Sequence, residues 1–179
     1  MPMIRCRTKL AKIGSWTILR LPQDASAQLP SRGLVMVKGT INGLEFQTAL
    51  EPDGTGSHWF EVGKTQREAI GAKVGDTVTL AIESTKEWPE PKVPADITSA
   101  LAADPQARSL WLDVTPMARW EWIRWIRATN RLETRQRRIE VARSKLKAGG
   151  RRPCCFNSSM CTEPAVSKNG VLLNPAPAI

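Results

Sequence analysis

A single turn signal, Asn42-Gly43, constrains the fold of this chain most strongly. It lies between two apolar, β-branched runs, residues 33–41 (GLVMVKGTI) and 44–50 (LEFQTAL). Both central residues of a two-residue hairpin turn need a positive φ, which asparagine and glycine adopt at low cost. The sequence therefore predicts an antiparallel β-hairpin with its turn at this dipeptide, inside a larger β-sheet.

The residues on both sides of the hairpin continue this β pattern. Short apolar or alternating runs bounded by turn residues predict five strands: 15–22, 33–41, 44–50, 57–62 and 77–84. Residues 64–70 (KTQREAI) predict a short helix that ends at Gly71, and residues 74–76 (VGD) predict a turn. Five strands with short connections predict a small closed β-barrel, which we place at residues 13–87.

A proline-rich segment, residues 85–94 (TKEWPEPKVP), marks a change from strands to helices. Pro94 suits a first helical turn, and Thr115 followed by Pro116 suits an N-cap and the first helical residue. Three helices are predicted, at residues 94–104, 114–129 and 130–150. We therefore place a helical region at residues 92–150.

The predicted fold class is a mainly β N-terminal domain, a small double-split β-barrel, followed by an α-helical C-terminal region, α+β overall. Residues 151–179 are rich in proline, serine and asparagine. Such a composition buries little apolar surface, so we expect this tail to be mostly disordered.

The net charge of +9 is concentrated in the C-terminal half of the chain. Residues 1–93 carry 12 Lys and Arg against 10 Asp and Glu, whereas residues 94–179 carry 14 against 7. The densest part, residues 119–152, holds 12 basic residues and 3 acidic ones. An anionic partner, if there is one, is therefore expected to meet the C-terminal half.

Arginine recurs along the helical region at helical spacing. Five residues are candidates for binding a polyanion: Arg124, Arg127, Arg131, Arg135 and Arg138. In this role Arg131, Arg135 and Arg138 should face solvent without carboxylate partners, and binding should weaken steeply with salt. No base-reading arrangement is visible, so sequence-specific recognition is not expected. In the competing interpretation Trp122 and Ile126 pack a helix on the barrel, and its arginine face is only solvated.

Residues suited to catalysis or metal binding are few. His58, the only histidine, lies in a predicted strand, where alternation with Trp59 should turn one of the two outward. A lone strand histidine is more often packed or at the surface than catalytic. The sequence contains no nucleophile elbow, phosphate-binding loop, dinucleotide-binding glycine motif or zinc-protease motif. No catalytic or cofactor-binding residue is predicted, and enzyme activity is not expected.

The cysteines also bear on metal binding and location. Cys154, Cys155 and Cys161 are soft ligands, but adjacent cysteines point apart in most backbone conformations, so no metal site is predicted. Adjacent, unspaced cysteines fit a reducing compartment better than a disulfide framework. Residues 1–15 lack the apolar core of a signal peptide, and no apolar run reaches the roughly 20 residues of a membrane span. A cytoplasmic location without membrane insertion is expected.

Longer stretches of the sequence resemble a known family. Residues 93–150 are similar to the YdeI/OmpD-associated family, also called bacteriocin-protection proteins, through VPADI, LDVTPMARWEWIRWI and ETRQRRI. The preceding VKGTINGLEFQTAL and KTQREAIGAKVGDTVTL resemble the domain of unknown function that often precedes that segment. Together the two resemblances cover residues 15–150.

This resemblance implies a double-split β-barrel of the class that includes AbrB-like DNA-binding proteins. It implies that the helix at residues 64–70 and the turn after it close the barrel. Gly63 stands where the AbrB motif usually has a proline, and the barrel half is nearly neutral. The stretch is therefore interpreted as encoding a fold rather than a DNA-reading surface, and the resemblance implies no reaction or cofactor.

The resulting functional hypothesis is a non-enzymatic bacterial protein of the stress or bacteriocin-protection type that binds a partner protein. One alternative is a nucleic-acid-binding protein that uses its basic C-terminal helices. Another is small-ligand binding or enzyme activity in a cleft between the barrel and the helices.

Overall fold

The structure is a computed structural model that describes residues 2–153 and 157–175. These residues form two compact units. The β-sheet unit comprises residues 2–87, 157–161 and 165–175, and the helical unit comprises residues 88–153 and 162–164. The predicted α+β architecture, strands first and helices after them, is confirmed.

One antiparallel sheet of seven strands dominates the described part of the β-sheet unit. The strands are β1 (Ile4–Lys9), β2 (Ala11–Ile13), β3 (Trp16–Arg20), β4 (Val35–Ile41), β5 (Leu44–Pro52), β6 (His58–Glu61) and β7 (Thr77–Ser84). Their order is β1-β7-β4-β5-β6-β3-β2. The sheet curls into a half-barrel, which brings β1 close to β3: Thr8 Oγ1 on β1 donates to the Arg20 carbonyl oxygen on β3 at 2.9 Å. The five predicted strands are present, and β1 and β2 were missed.

The predicted hairpin is confirmed at Asn42-Gly43. Asn42 has a φ of 48° and Gly43 a φ of 84°, as this turn requires. The turn sets the register of β4 against β5, with Ile41 opposite Leu44. Asn42 also binds β7, because its Oδ1 accepts a hydrogen bond from the Thr79 amide at 2.8 Å. One asparagine therefore positions three neighbouring strands.

Apolar side chains on one face of the curled sheet form the main core of the β-sheet unit. Val37, Ile41, Leu50 and Leu80 are completely buried there. Two short helices accompany the sheet, α1 (Gln23–Ser26) and α2 (Lys64–Ile70).

Four helices form the helical unit among the described residues. They are α3 (Ala95–Ala102), α4 (Pro105–Asp113), α5 (Pro116–Arg127) and α6 (Leu132–Lys147). The predicted N-cap of α5 is confirmed, since Thr115 Oγ1 accepts a hydrogen bond from the Ala118 amide at 3.1 Å. Helix α4 was not predicted, although Asp104 caps it in the same way, through the Ala107 amide at 3.2 Å.

The tryptophan face of α5 packs within the helical unit. Trp122 and Ile126 are buried in a cluster formed with side chains such as Trp111 and Ile139. The prediction that Trp122 and Ile126 pack on the barrel is therefore wrong. The physical reason is α4, which was missed and supplies Trp111 as an apolar partner from the helices themselves.

Part of the C-terminal tail is folded. Strands β8 (Ser167–Lys168) and β9 (Val171–Leu172) form a small antiparallel hairpin. The Leu172 amide donates to the Asp53 carbonyl oxygen at 2.8 Å, which holds this hairpin to the loop between β5 and β6. The predicted disorder is therefore wrong for residues 157–175. The rest of the predicted tail beyond Pro153, residues 154–156 and 176–179, lies outside the described residues.

Three apolar side chains explain why the tail folds. Cys161, Val166 and Leu172 are buried in a second cluster of the β-sheet unit, together with Ile18 and Trp59. These apolar residues are widely spaced in a polar segment, so the composition of the tail did not predict their burial. Together they cover one face of the sheet.

Candidate anion-binding surfaces

The structure does not assemble the five candidate arginines into one exposed stripe. The Arg124 side chain is 1 % exposed, and its Nη1 lies 3.4 Å from an oxygen of the buried Glu121 carboxylate. Arg127 lies 3.9 Å from the Glu163 carboxylate, measured from Nε to Oε2. A buried guanidinium needs such a partner to offset its desolvation, and a polyanion has no access to Arg124.

Two further candidates on α6 are also engaged within the helical unit. Arg135 donates from Nη2 to Asp96 Oδ1 at 2.9 Å, and this hydrogen bond holds the pKa of the Asp96 carboxyl below its ordinary value. Arg138 donates to the Trp125 carbonyl oxygen at 2.8 Å and lies over the Trp125 ring, 5.5 Å from its centroid. Burial lowers the pKa of Arg138. The expectation of no carboxylate partner is therefore wrong for Arg135. Arg138 has no carboxylate partner among the described residues, but it is half-buried against Trp125 rather than solvent-facing.

Arg131 is the candidate that matches its predicted position. It is exposed at the residue before α6, and its side chain forms no ion pair or hydrogen bond within the described ranges. Arg108 and Arg137 are likewise exposed and without such a partner in the described part of the helical unit. Arg131 and Arg137 are six positions apart, which places them on different faces of a helix. Arg131 and Arg137 therefore do not form one continuous stripe.

A different basic surface lies in the β-sheet unit, in an open groove of about 810 Å³. Lys12 and Thr17, on the β2–β3 hairpin, line it together with α2 and the turn that follows. The basic residues that line this groove, hereafter the basic groove, are Lys12, Lys64, Arg67 and Lys73. Backbone hydrogen bonds fix its walls: Val62 donates to Thr17 at 2.9 Å and Leu10 donates to Asp76 at 2.9 Å.

Four basic and two acidic residues line the basic groove, so its positive charge is only partly compensated. The side chains of Lys12, Arg67 and Lys73 form no ion pair or hydrogen bond with any residue that the structure describes. The ion pair of Lys64 with Glu68 is 3.9 Å long and exposed, so it neutralises little charge. A ligand with negative charge would therefore gain attraction here without first breaking strong internal pairs.

Sequence reasoning missed the basic groove for two reasons. Basic and acidic residues nearly balance over residues 1–93, although they do not balance within the basic groove. Lys12 also lies on β2, a strand that was not predicted, so nothing in the pattern placed it near Arg67 or Lys73. The helix and turn at residues 64–76 are formed as expected, and they supply three of the four basic residues.

His58 occupies a packed structural position. It is completely buried, with Nδ1 at 2.6 Å from Ser26 Oγ and Nε2 at 2.8 Å from the Gly33 carbonyl oxygen. Trp59 is completely buried as well, so the expectation that one of the two faces outward is wrong. Both faces of β6 are covered, because α1 contributes Ser26 on one side and Val166 of the tail packs on the other.

A buried carboxylate, Asp53, holds the loop between β5 and β6. It accepts hydrogen bonds from the Thr55 amide at 2.7 Å, Arg20 Nε at 2.9 Å and the Ser57 amide at 3.0 Å. Burial by itself would raise the pKa of Asp53, but the hydrogen bonds from Thr55, Arg20 and Ser57 hold it below its ordinary value.

This lowered pKa predicts a specific loss of stability in acid. The Asp53 carboxylate stabilises the fold fully above its unfolded pKa of about 3.9, and that contribution is lost as pH falls through the folded value. Asp53→Asn should therefore lower the free energy of unfolding by about 2 kcal/mol at pH 7. The gap from wild type should close as pH falls below about 4. Urea unfolding at pH 7, 4 and 3 measures this, with exposed Asp24→Asn as the control; a gap that stays constant with pH would contradict the assignment.

The described residues provide neither a cluster of metal ligands nor a membrane-spanning helix. No three or more His, Cys, Asp and Glu side chains are grouped to hold a metal ion within the described ranges. Cys161 is buried, and Cys154 and Cys155 lie outside those ranges. Helices in the part of the chain that the structure describes are too short or too polar to cross a bilayer.

Two family models match the chain in the order of its sheet and its helices. The model described as Domain of unknown function (DUF1905) matches residues 7–82, and the model described as Bacteriocin-protection, YdeI or OmpD-Associated matches residues 90–149. No curated protein matches the chain. The chain is thus an α+β protein in which a DUF1905 domain precedes a helical domain that the YdeI or OmpD-Associated model matches. It belongs to the YdeI/OmpD-associated family.

Proposed function

We propose that this protein is a non-enzymatic, cytoplasmic binding protein of the bacteriocin-protection type, which holds an acidic segment of a partner protein in the basic groove. The family match supports the protective role. The binding mode is supported by one observation: Lys12, Arg67 and Lys73 line the same groove, and none of them has a carboxylate partner among the described residues.

The chemistry of the basic groove favours an acidic protein segment over a nucleic acid. Its lining residues include no aromatic ring on which a base could stack. Glu68 and Asp76 also line the groove, so a segment whose acidic residues are separated by neutral ones avoids their repulsion better than a continuous phosphate backbone does. Val74 lines the groove and is 41 % exposed, so an apolar side chain of a peptide could be buried against it.

The proposal predicts a large loss of affinity when the basic groove is neutralised. A fluorescein-labelled peptide of alternating glutamate and leucine should bind the wild-type protein at low salt, as measured by fluorescence anisotropy. The triple substitution Lys12→Gln, Arg67→Gln and Lys73→Gln should weaken this binding about a hundredfold, because it removes three charge-assisted contacts.

A matched control removes the same number of charges from the helical unit. Arg108→Gln, Arg131→Gln and Arg137→Gln replace three exposed arginines and should change the affinity by less than about threefold, through long-range charge only. Labelled duplex DNA and single-stranded RNA form further arms of the titration. The proposed partner, an acidic protein segment, is wrong in either of two cases. In the first, the triple variant of the helical unit loses as much affinity as the triple variant of the basic groove. In the second, only the nucleic acids bind.

A further inference from the structure

Thr17, a largely buried residue of the basic groove, has a hydroxyl that forms no hydrogen bond with another described residue. Thr17 is 5 % exposed and lines the groove, and its side chain forms no hydrogen bond within the described ranges. Other buried hydroxyls of the same unit are paired: Ser57 Oγ donates to the Leu21 carbonyl oxygen at 2.9 Å, and Ser26 Oγ lies 2.6 Å from His58 Nδ1. The Thr17 hydroxyl is not among the fully buried unpaired polar atoms of the described residues, so it opens to the groove and is available to water or to a ligand.

The fold places a positive charge next to this hydroxyl. Lys12 is directly opposite Thr17 in the β2–β3 pair, and both residues line the groove. Side chains that are opposite each other in an antiparallel pair project from the same face, with Cβ atoms about 5 Å apart. The Lys12 ammonium also has no carboxylate partner among the described residues. A hydroxyl donor and an ammonium donor are therefore presented side by side.

We propose that Thr17 and Lys12 form an oxyanion subsite, which takes a carboxylate or phosphoryl group of the ligand held in the basic groove. This inference rests on the proposed function and specifies which chemical group of the acidic partner is bound. The hydroxyl donates to an anionic oxygen, and the ammonium donates to a second oxygen of the same group. Metal cations are disfavoured, since Arg67 and Lys73 line the same groove.

The test compares Thr17→Val, which removes the hydroxyl and keeps the shape, with Thr17→Ser, which keeps the hydroxyl. Two labelled peptides are used: the glutamate–leucine peptide, and the same peptide with phosphoserine in place of one glutamate. Thr17→Val should weaken binding of at least one peptide about tenfold, whereas Thr17→Ser should stay within about threefold of wild type. The peptide with the larger loss identifies the group, carboxylate or phosphoryl. Thr17→Val should melt close to wild type, because valine keeps the β-branched shape and no internal hydrogen bond is lost.

The outcomes separate the subsite from the function on which it rests. If Thr17→Val binds both peptides as wild type does while the triple groove variant loses binding, the subsite is wrong and the proposed function stands. If wild type binds neither peptide, the proposed function fails, and titration with inorganic phosphate then decides the subsite. If phosphate shifts the Thr17 amide resonance of wild type but not that of Lys12→Gln, the subsite is supported. If phosphate causes no shift in wild type, the subsite is wrong.

Discussion

Trp122→Ala should lower the free energy of unfolding of the helical unit by about 4 kcal/mol. Trp122 is completely buried, so the substitution removes a large apolar side chain and leaves a cavity among the helices. It also removes an edge-to-face contact with Trp125, whose ring centroid is 5.9 Å away. The Trp122 Nε1 donor is lost as well, and the Arg151 carbonyl oxygen, 3.1 Å away, loses its hydrogen bond. Urea unfolding followed by far-UV circular dichroism measures the loss.

Trp120 on the same helix supplies the matched control. It is only half-buried, contacts Trp88 edge to face at 6.1 Å and donates to the Pro89 carbonyl oxygen at 2.9 Å. Trp120→Ala should therefore cost about 1 kcal/mol. Equal losses for the two variants would show that Trp122 does not hold the core of the helical unit.

Gly54→Ala should lower the free energy of unfolding of the β-sheet unit by about 4 kcal/mol. Gly54 has a φ of +84°, and a Cβ atom there would lie 2.1 Å from the Gly170 carbonyl oxygen and 2.9 Å from Val171 Cα. The tail hairpin would have to move away, which exposes the apolar side chains of Val166 and Leu172. Urea unfolding followed by tryptophan fluorescence measures the loss, because Trp59 is covered by the same residues.

A substitution at Gly56, two residues further along the same loop, distinguishes the strain of a positive φ from a steric clash of the new Cβ atom. Its φ is +97°, but a Cβ atom there would meet nothing within 4 Å. Gly56→Ala should therefore cost only the strain of a positive φ, about 1–2 kcal/mol. Limited proteolysis should cleave the tail of Gly54→Ala faster than that of Gly56→Ala. Equal stability and equal cleavage of the two variants would contradict the docking of the tail.

Local signals in the sequence predicted the elements whose geometry depends on a few adjacent residues. Asn42-Gly43 set a hairpin, and Thr115 set the start of a helix, because each acts on its own backbone. The tail was mispredicted because its stability comes from long-range burial of Cys161, Val166 and Leu172, which composition does not reveal. Helix α4 was missed despite a capping aspartate at its start.

The candidate site was harder to predict than the fold. Arginine spacing on one helix shows which side chains share a face, but not which of them find partners on other helices. Arg135 pairs with Asp96, 39 positions away, and Arg138 uses the Trp125 backbone and ring. Conversely, Lys12 and Arg67 share a groove only because a curled sheet brings β2 and α2 together. Tertiary contacts of this kind decide whether a charge is available to a partner.

Backbone amide resonances of the isotope-labelled protein, recorded while the glutamate–leucine peptide is added, show which residues the peptide contacts. We expect saturable shifts confined to residues that line the basic groove, around Lys12–Thr17 and Lys64–Asp76. Amides around Arg124–Arg138 should stay unchanged. Shifts centred on the α5–α6 arginines, or no shifts at saturating peptide, would contradict the claim that the basic groove is the binding surface.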